Sequence, residues 1–253
     1  MSQSSESSIN YSFAGKKILI TGGGKGLGRA LIERVYKDNA SVFTLERDAA
    51  LVEQLKKDFP KITAETVDVS NWKQTQKIIE GFGPMDYLVN NAGIIIFEDF
   101  VNITEDQVNK LLDVDLKAVY SITQAVVRGM ISNGVAGSIV NIGSIGAYIG
   151  TKGTSVYNST KAAILMLTKN LALELGQHNI RVNSVSPTGM NTPMFAANAH
   201  ELPPDSCLNR KPLAGEKILE PDVLVNSILF ILSPLSSFTT GIDLLVDGGV
   251  VAC

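Results

Sequence analysis

Residues 17–28, Lys-Ile-Leu-Ile-Thr-Gly-Gly-Gly-Lys-Gly-Leu-Gly, join a short apolar run to a glycine-rich turn. The run is typical of a buried strand, and helical periodicity begins near Gly26. Glycines at positions 22, 26 and 28 permit a tight strand-to-helix turn and let a pyrophosphate approach the free N–H groups of the helix. The stretch therefore predicts a dinucleotide site built from Thr21, Gly22, Lys25, Gly26, Leu27 and Gly28.

Short apolar runs alternate with helical periodicity along the rest of the chain. Strands are predicted at Lys17–Thr21, Ser41–Leu45, Thr63–Val67, Tyr87–Val89, Ser138–Ile142, Arg181–Val185 and Leu244–Val246. Helices are predicted at Gly26–Asp38, Ala49–Asp58, Trp72–Gly81, Gln107–Ile131, Tyr157–Leu175 and Pro221–Leu232. This alternation predicts an α/β, doubly wound Rossmann fold, a seven-stranded parallel sheet with helices on both faces. We assign residues 13–253 to one domain and the Ser-rich residues 1–12 to a disordered tail.

Composition restricts the function classes. With a formal net charge of −3, the chain has no net basic field for a phosphate backbone, which argues against nucleic acid as a partner. The sequence contains no run of eighteen apolar residues, which is about the length that a membrane span needs, and residues 1–12 do not resemble a signal peptide. We therefore expect a cytoplasmic protein that binds no membrane. Two cysteines and two histidines, far apart in sequence, predict neither a disulfide framework nor a metal site.

The end of the second predicted strand bears on the choice of dinucleotide. Glu46 lies about eighteen residues beyond Gly28, where a Rossmann acidic residue meets the adenosine ribose. Its carboxylate would repel a 2′-phosphate, which favours NAD(H). Lys25 and Arg47 are the cations that a 2′-phosphate would require, unless both are ordinary surface charges. NAD(H) is therefore only modestly favoured over NADP(H).

A candidate reaction centre follows the fifth predicted strand. Tyr157 and Lys161 are four residues apart at the start of a long helix, which places them on one face. An ammonium there stabilises a phenolate and so favours proton exchange with a carbonyl or alcohol oxygen. Ser144 follows a buried strand, at the sheet edge where open α/β sheets bind ligands, and its hydroxyl can hydrogen-bond the same oxygen. A helix-capping serine is the alternative interpretation.

The motifs Thr21-Gly22-x-x-x-Gly26-x-Gly28, Asn90-Asn91-Ala92-Gly93, Ser144, Tyr157-x-x-x-Lys161 and Pro187, in this order and spacing, resemble the short-chain dehydrogenase/reductase family. The resemblance covers nearly everything from Phe13 to Cys253. Within the family, the chain looks most like the dicarbonyl/L-xylulose reductase and carbonyl reductase branch. That resemblance implies a homotetramer that reduces sugar ketones and α-dicarbonyls.

The resemblance also implies roles for individual residues. Tyr157 would be the general acid/base, Lys161 the cation that favours its phenolate and a ligand of the nicotinamide ribose, and Ser144 the residue that orients the substrate oxygen. Asp68 would meet the adenine amino group and Thr192 the carboxamide. The remaining implied cofactor contacts are Val69, Asn90, Ala92, Gly93, Pro187 and Gly189.

Two residues depart from the family pattern. Asp115 stands where the family usually has the fourth catalytic residue, an Asn, and a buried carboxylate there would change the pH dependence if it paired with Lys161. Glu46 stands where the xylulose-reductase branch, which uses NADPH, has a small hydroxyl residue.

Two alternatives to a small carbonyl or secondary alcohol substrate stay open. One is an apolar alcohol such as a steroid, retinoid or isoprenoid. The other is a cofactor-binding protein with weakened catalysis. The stretch from Thr188 to Gly215 is predicted to be a substrate lid, in which Met190, Met194 and Phe195 form either a pocket wall or an oligomer contact.

Overall fold

The computed structural model describes residues 12–202, 213 and 218–252. Its central feature is a seven-stranded sheet in the order β3-β2-β1-β4-β5-β6-β7, with every neighbouring pair parallel. The strands are β1 Lys17–Thr21, β2 Ser41–Glu46, β3 Thr63–Thr66, β4 Tyr87–Asn90, β5 Ser138–Ile142, β6 Arg181–Pro187 and β7 Asp243–Val246. The predicted doubly wound α/β fold is confirmed.

The α-helices are α1 Gly26–Lys37, α2 Ala49–Asp58, α3 Trp72–Phe82, α4 Glu105–Leu112, α5 Ala118–Ser132, α6 Ser155–Leu175, α7 Pro193–Asn198 and α8 Pro221–Leu232. A π-helical turn, Asp113–Lys117, joins α4 to α5. No helix among these is long and apolar enough to cross a membrane, as far as the described residues extend.

Alternation along the strands divides the core into two layers. Ile18 and Ile20 of β1 pack with α1, α2 and α8, whereas Leu19 packs with α3, α5 and α6 on the opposite face. Successive side chains of a strand point to opposite faces, so a strand buried on both faces is apolar throughout. These layers hold the carboxyl ends of the strands at one common edge.

The predicted helix Gln107–Ile131 is in fact a composite. It begins at Glu105 because Thr104 and Gln107 form a reciprocal capping box, and it is interrupted by the π turn. A π turn inserts one residue into the helical repeat and rotates the side chains around it, often at functional sites. Here it carries Asp115.

Helix α7 was not expected within the predicted lid, although Thr192 caps it and Pro193 occupies its first turn. The predicted tail, apart from Ser12, lies outside the described residues. So do Cys207, Cys253 and most of residues 203–217.

The order of the sheet reverses between β1 and β4, and hydrogen bonds tie the ends of these two strands together. Thr21 Oγ1 accepts from the N–H groups of Asn91 and Ala92, both at 3.0 Å. Asn91 Nδ2 donates to the carbonyls of Thr21 at 2.8 Å and Gly22 at 3.1 Å. The switch point, where open α/β sheets bind ligands, is therefore fixed by side chains from both halves.

Candidate active site

A cavity of about 620 Å³ runs along the carboxyl edge of the sheet, from Glu46 and Asp68 at one end to Tyr157 and α7 at the other. All but four of the predicted site residues line it. The four exceptions are Thr21, Gly28, Asn90 and Asp115, which lie behind its wall.

The glycine turn packs so tightly against its neighbours that a side chain has no room at two of its positions. Gly22 has a φ of +68°, and a Cβ there would lie 3.0 Å from the Cα of Ala92. A Cβ on Gly28 would collide with the carbonyl oxygen of Gly22. The turn therefore requires glycine at both positions, and it leaves the first N–H groups of α1 directed at the cavity for an anionic ligand.

The side chain of Asn90, an implied cofactor contact, lies inside the protein and does not line the cavity. Asn90 is 4% exposed, and its Nδ2 donates to Thr123 Oγ1 at 2.9 Å and to Asn141 Oδ1 at 2.8 Å inside the protein. Asn91 lines the cavity instead. Successive side chains of a strand point to opposite faces, so Asn90 and Asn91 point in opposite directions.

Glu46 is held at the glycine turn by backbone amides. Its Oε2 accepts from Gly24 N–H at 3.0 Å, and its Oε1 accepts from the N–H groups of Arg47 at 2.9 Å and Asp48 at 3.2 Å. Arg47 and Lys25 line the same end of the cavity, and neither forms an ion pair with a described residue. Three carboxylates, those of Glu46, Asp48 and Asp68, and the two cations therefore line this end of the cavity.

The other predicted cofactor contacts lie along the same wall. Asp68 Oδ1 accepts from the N–H and Oγ of Ser70, at 2.9 and 2.7 Å, which holds the carboxylate at the end of β3 beside Val69. On the opposite side, a Cβ at Gly26 would lie 3.1 Å from Thr192 Cγ2, so Thr192 covers the glycine turn. The glycine turn thus forms one side of the cavity, Asp68 lies at its acidic end, and Thr192 partly covers it.

Ser144 lies immediately beyond β5, at the start of a single 3₁₀ turn, Ile145–Ala147. Its Oγ accepts from Gly146 N–H at 3.0 Å, as a capping serine does. No described acceptor takes its own hydroxyl proton, so the O–H is available to a ligand in the cavity. The capping interpretation and the ligand-binding interpretation are compatible in this geometry.

Tyr157 and Lys161 lie one turn apart on α6, as their spacing predicts. Lys161 Nζ is 5.6 Å from the centre of the Tyr157 ring and donates to the carbonyl of Ile142 at 3.1 Å. Lys161 is only 7% exposed, so its charge acts in a poorly solvated space close to the phenol. The arrangement can deliver a proton from the phenol to an oxygen that is also held by Ser144.

Asp115 is buried behind Gly93. Its Oδ1 accepts from Ile94 N–H at 2.8 Å, whereas its Oδ2 has no hydrogen-bond partner. Burial raises the pKa of Asp115 to about 6, against the opposing effects of the Lys161 charge and the Ile94 hydrogen bond. No ion pair with Lys161 forms within 4.0 Å, although a Cβ at Gly93 would lie 3.5 Å from Asp115 Oδ1 and 3.7 Å from Lys161 Nζ.

The far end of the cavity has an apolar wall. Met190, Met194 and Phe195 line it, as the pocket-wall interpretation of these residues predicts. Phe97, which was not predicted from sequence, and Thr188, the first residue of the predicted lid, also line it. The Thr188 hydroxyl is buried without a hydrogen-bond partner among the described residues.

The chain is similar in sequence to known proteins. The family model for short chain dehydrogenase matches residues 16–203. The chain belongs to the short-chain dehydrogenase family. It is 41% identical to the L-xylulose reductase of Homo sapiens over 243 residues, covering 95% of this chain and 98% of that one. It is 38% identical to carbonyl reductase [NADPH] 2 of Sus scrofa over 249 residues, covering 96% and 100%.

A solved structure agrees with these relatives. The gluconate 5-dehydrogenase from Burkholderia cenocepacia, in complex with NADP and tartrate, superposes with a TM-score of 0.87 at 29% identity, covering 96% of this chain and 97% of that one. As a short-chain dehydrogenase, the chain is an oxidoreductase that uses a nicotinamide cofactor. The described residues fit that cofactor, because the glycine turn makes room for a pyrophosphate and the Thr188 hydroxyl lacks a partner.

Proposed function

We propose that the chain moves a hydride between a nicotinamide dinucleotide and a small neutral ketone or secondary alcohol, with sugar ketones and α-dicarbonyls as preferred substrates. The observation that carries the proposal is the convergence of Ser144, Tyr157 and Lys161 on one cavity that also contains the glycine turn. The names of the relatives, an L-xylulose reductase and a carbonyl reductase, support this substrate class.

In the proposed mechanism a bound nicotinamide supplies or accepts the hydride, and the chain's own residues handle the proton. Tyr157 Oη donates a proton to the substrate oxygen during reduction and takes it back during oxidation. Ser144 Oγ donates a hydrogen bond to that oxygen and orients it. The bond of Lys161 Nζ to the carbonyl of Ile142 keeps the ammonium beside the phenol, 5.6 Å from the centre of the Tyr157 ring.

Asp115 acts from behind this group. Its bond to Ile94 N–H fixes the strand-end loop that carries Gly93, so the carboxyl shapes the cavity wall beside Lys161. In this proposal Asp115 supports the catalytic residues without touching the substrate.

The distribution of charge supports a neutral substrate. Among the described residues from Asn91 onward that line the cavity, Lys161 has the only charged side chain, and it is already bound to Ile142. A substrate carboxylate or phosphate would therefore lose water without gaining a free cation among these residues, which is costly. The relative that acts on gluconate thus differs from this chain in expected substrate.

For the dinucleotide, we propose a modest preference for NAD(H) over NADP(H). The support is the Glu46 carboxylate, fixed at Gly24, where a 2′-phosphate would approach. Against this stand Lys25 and Arg47, and the names of two relatives that mention NADPH or NADP. The remaining predicted contacts, from Thr21 to Thr192, are proposed to hold the dinucleotide along the wall already described.

The test is a set of initial rates for purified protein with diacetyl, L-xylulose and 5-ketogluconate, each with NADH and with NADPH. We expect turnover of the two neutral ketones, higher rates with NADH, and little turnover of the acid. Equal rates with the acid would remove the argument for a neutral substrate. Binding of both cofactors without turnover of any carbonyl would favour a cofactor-binding protein instead.

A second candidate is an apolar alcohol or ketone, such as a steroid, retinoid or isoprenoid. The observation that favours it is the apolar wall formed by Phe97, Met190, Met194 and Phe195. The same assay with retinal and a steroid ketone distinguishes the two. A KM in the low micromolar range for these, with millimolar values for L-xylulose, would support the apolar class.

We also propose that the protein is a homotetramer. Two separate faces expose large apolar side chains: Tyr120, Met166 and Leu173 on α5 and α6, and Phe230, Phe238 and Leu245 on α8, β7 and the segment between them. Two different self-complementary interfaces are what a tetramer with three twofold axes needs. Light scattering on the purified protein measures the mass. The cytoplasmic location stays a prediction, to be checked by imaging of the tagged protein.

A further inference from the structure

An acidic side chain outside the cavity joins two residues that support Ser144. Asp243 lies at the start of β7, and its Oδ2 accepts a hydrogen bond from Tyr148 Oη at 2.7 Å. Its Oδ1 accepts from Ser186 Oγ at 2.9 Å. We call these three residues, Asp243, Tyr148 and Ser186, the β7 clasp. None of them lines the cavity.

Both arms of the clasp lead to the backbone on either side of Ser144. Ser186 on β6 packs directly beneath Gly143, where a Cβ would collide with its Oγ. Tyr148 ends the turn that begins at Ser144, and its N–H donates to Ile145 O at 2.9 Å. Asp243 therefore holds the residue before Ser144 and the far end of the turn after it.

The same turn has a second anchor on α6. Asn158, the neighbour of Tyr157, donates from Nδ2 to Ile149 O at 3.3 Å, and its Oδ1 leaves no room for a Cβ on Gly146. The turn is thus fixed between the strand that bears Asp243 and the helix that bears Tyr157. Its position determines how far Ser144 Oγ lies from the phenol.

We propose that Asp243 is a positioning residue for the reaction, which acts through Tyr148 and Ser186 to set the place of Ser144 relative to Tyr157. The inference rests on the proposed role of Ser144. Misplacement of an orienting group by about 1 Å can cost on the order of 100-fold in rate, so a tether of this kind has a measurable consequence. Burial and the hydrogen bond to Asp243 raise the pKa of Tyr148, which keeps its hydroxyl a donor throughout the assay range.

The experiment uses the full-length protein with the variants Tyr148→Phe, Asp243→Ala and the double variant. The matched control is Tyr36→Phe, because Tyr36 lies in neither the cavity nor the two apolar faces proposed above, and among the described residues its hydroxyl only accepts a long hydrogen bond from Lys61 N–H, at 3.4 Å. The readouts are kcat and KM for the carbonyl, the Kd for the dinucleotide, and amide hydrogen exchange over residues 144–149. Activity is measured well below the melting temperature of each variant.

The proposal predicts a kcat lowered roughly five- to twentyfold in both single variants, no further loss in the double variant, and an unchanged Kd. It also predicts faster exchange over residues 144–149 in Tyr148→Phe but not in Tyr36→Phe. A purely structural role would lower the melting temperature and leave kcat unchanged, and that result overturns the proposal. So does additive loss in the double variant.

Failure of the proposed function gives a different result. In that case the wild-type protein shows no turnover with any carbonyl, whether or not the β7 clasp holds the turn in place. Exchange then decides the structural part of the inference. Faster exchange in Tyr148→Phe supports the tether, and exchange equal to that of the wild type overturns it.

Discussion

The two ends of the cavity are built in different ways. The dinucleotide end is a matter of backbone shape, made by the short stretch from Thr21 to Gly28 and the carboxylate of Glu46. The substrate end depends on single side-chain atoms, among them Ser144 Oγ and Tyr157 Oη, and on wall residues from other parts of the chain, such as Phe97 and Met190. We expect the dinucleotide end to lose binding when atoms are added to it, and the substrate end to lose catalysis when a single atom is removed.

The sharpest test of this contrast is Tyr157→Phe, which removes one oxygen. We expect kcat to fall roughly 1,000-fold, because the reaction loses its proton donor. The dinucleotide Kd should stay within about threefold, since the glycine turn is untouched. Rates and fluorescence titrations measure the two quantities, and Tyr36→Phe is the control. A comparable loss in the Kd would show that the two ends are not separable.

At the other end, Gly28→Ala adds one carbon. That carbon would collide with the carbonyl of Gly22, which as backbone cannot move aside cheaply. We expect dinucleotide affinity to fall roughly 100-fold and the free energy of unfolding to fall by about 1–3 kcal/mol. Gly176→Ala is the control, because a Cβ there meets nothing within 4 Å. Calorimetric titration that found wild-type affinity for Gly28→Ala would contradict the shape argument.

Asp115 lies between the two ends and offers a test by pH. The pKa of its carboxyl is raised to about 6 in the folded protein, above the ordinary value of 3.8. Its contribution to stability is fully present below about pH 4 and is lost as the pH rises through 6. The variant Asp115→Asn has no carboxyl group to ionise at this position, so it does not lose this stability. The free energy of unfolding of the variant minus that of the wild type should therefore increase by about 2–3 kcal/mol between pH 4 and pH 7.

Denaturant melts at several pH values measure this change. Asp113→Asn, in the same π turn but exposed and paired with Lys117, controls for the loss of a negative charge. A difference between Asp115→Asn and wild type that stays constant with pH would show that the buried carboxyl does not titrate in this way.

The smallest effect is expected for Glu46→Gln, which keeps the shape of the side chain and removes its charge. The ratio of kcat/KM for NADPH to that for NADH should rise about tenfold, because a 2′-phosphate no longer meets a like charge. Glu53→Gln, an exposed acid on α2, is the control. An unchanged ratio would mean that Lys25 and Arg47 already outweigh the carboxylate.

The sequence predicted what local patterns determine. The strands agree with the structure to within about two residues, because each is an apolar run bounded by polar or turn residues. Tyr157 and Lys161 share a face because helical spacing is regular. The glycine turn was predictable because strand, glycines and helix are contiguous.

Features that depend on packing were not predictable. The π turn around Asp115 has no sequence signature that separates it from ordinary helix. Which of Asn90 and Asn91 faces the cavity depends on where the strand ends, to the residue. The hydrogen bonds of Asp243 join residues 57 and 95 positions apart, and no local pattern reports such a pairing.

The tight fit of Gly22, Gly28 and Ala92 has a consequence for binding thermodynamics. The turn is assembled by its own close contacts before any ligand arrives, so association requires little ordering of the chain. The apparent affinity for the dinucleotide is then not reduced by a small population of competent molecules. Binding should occur in a single kinetic phase, with an entropy change dominated by released water and by the ligand's own lost freedom.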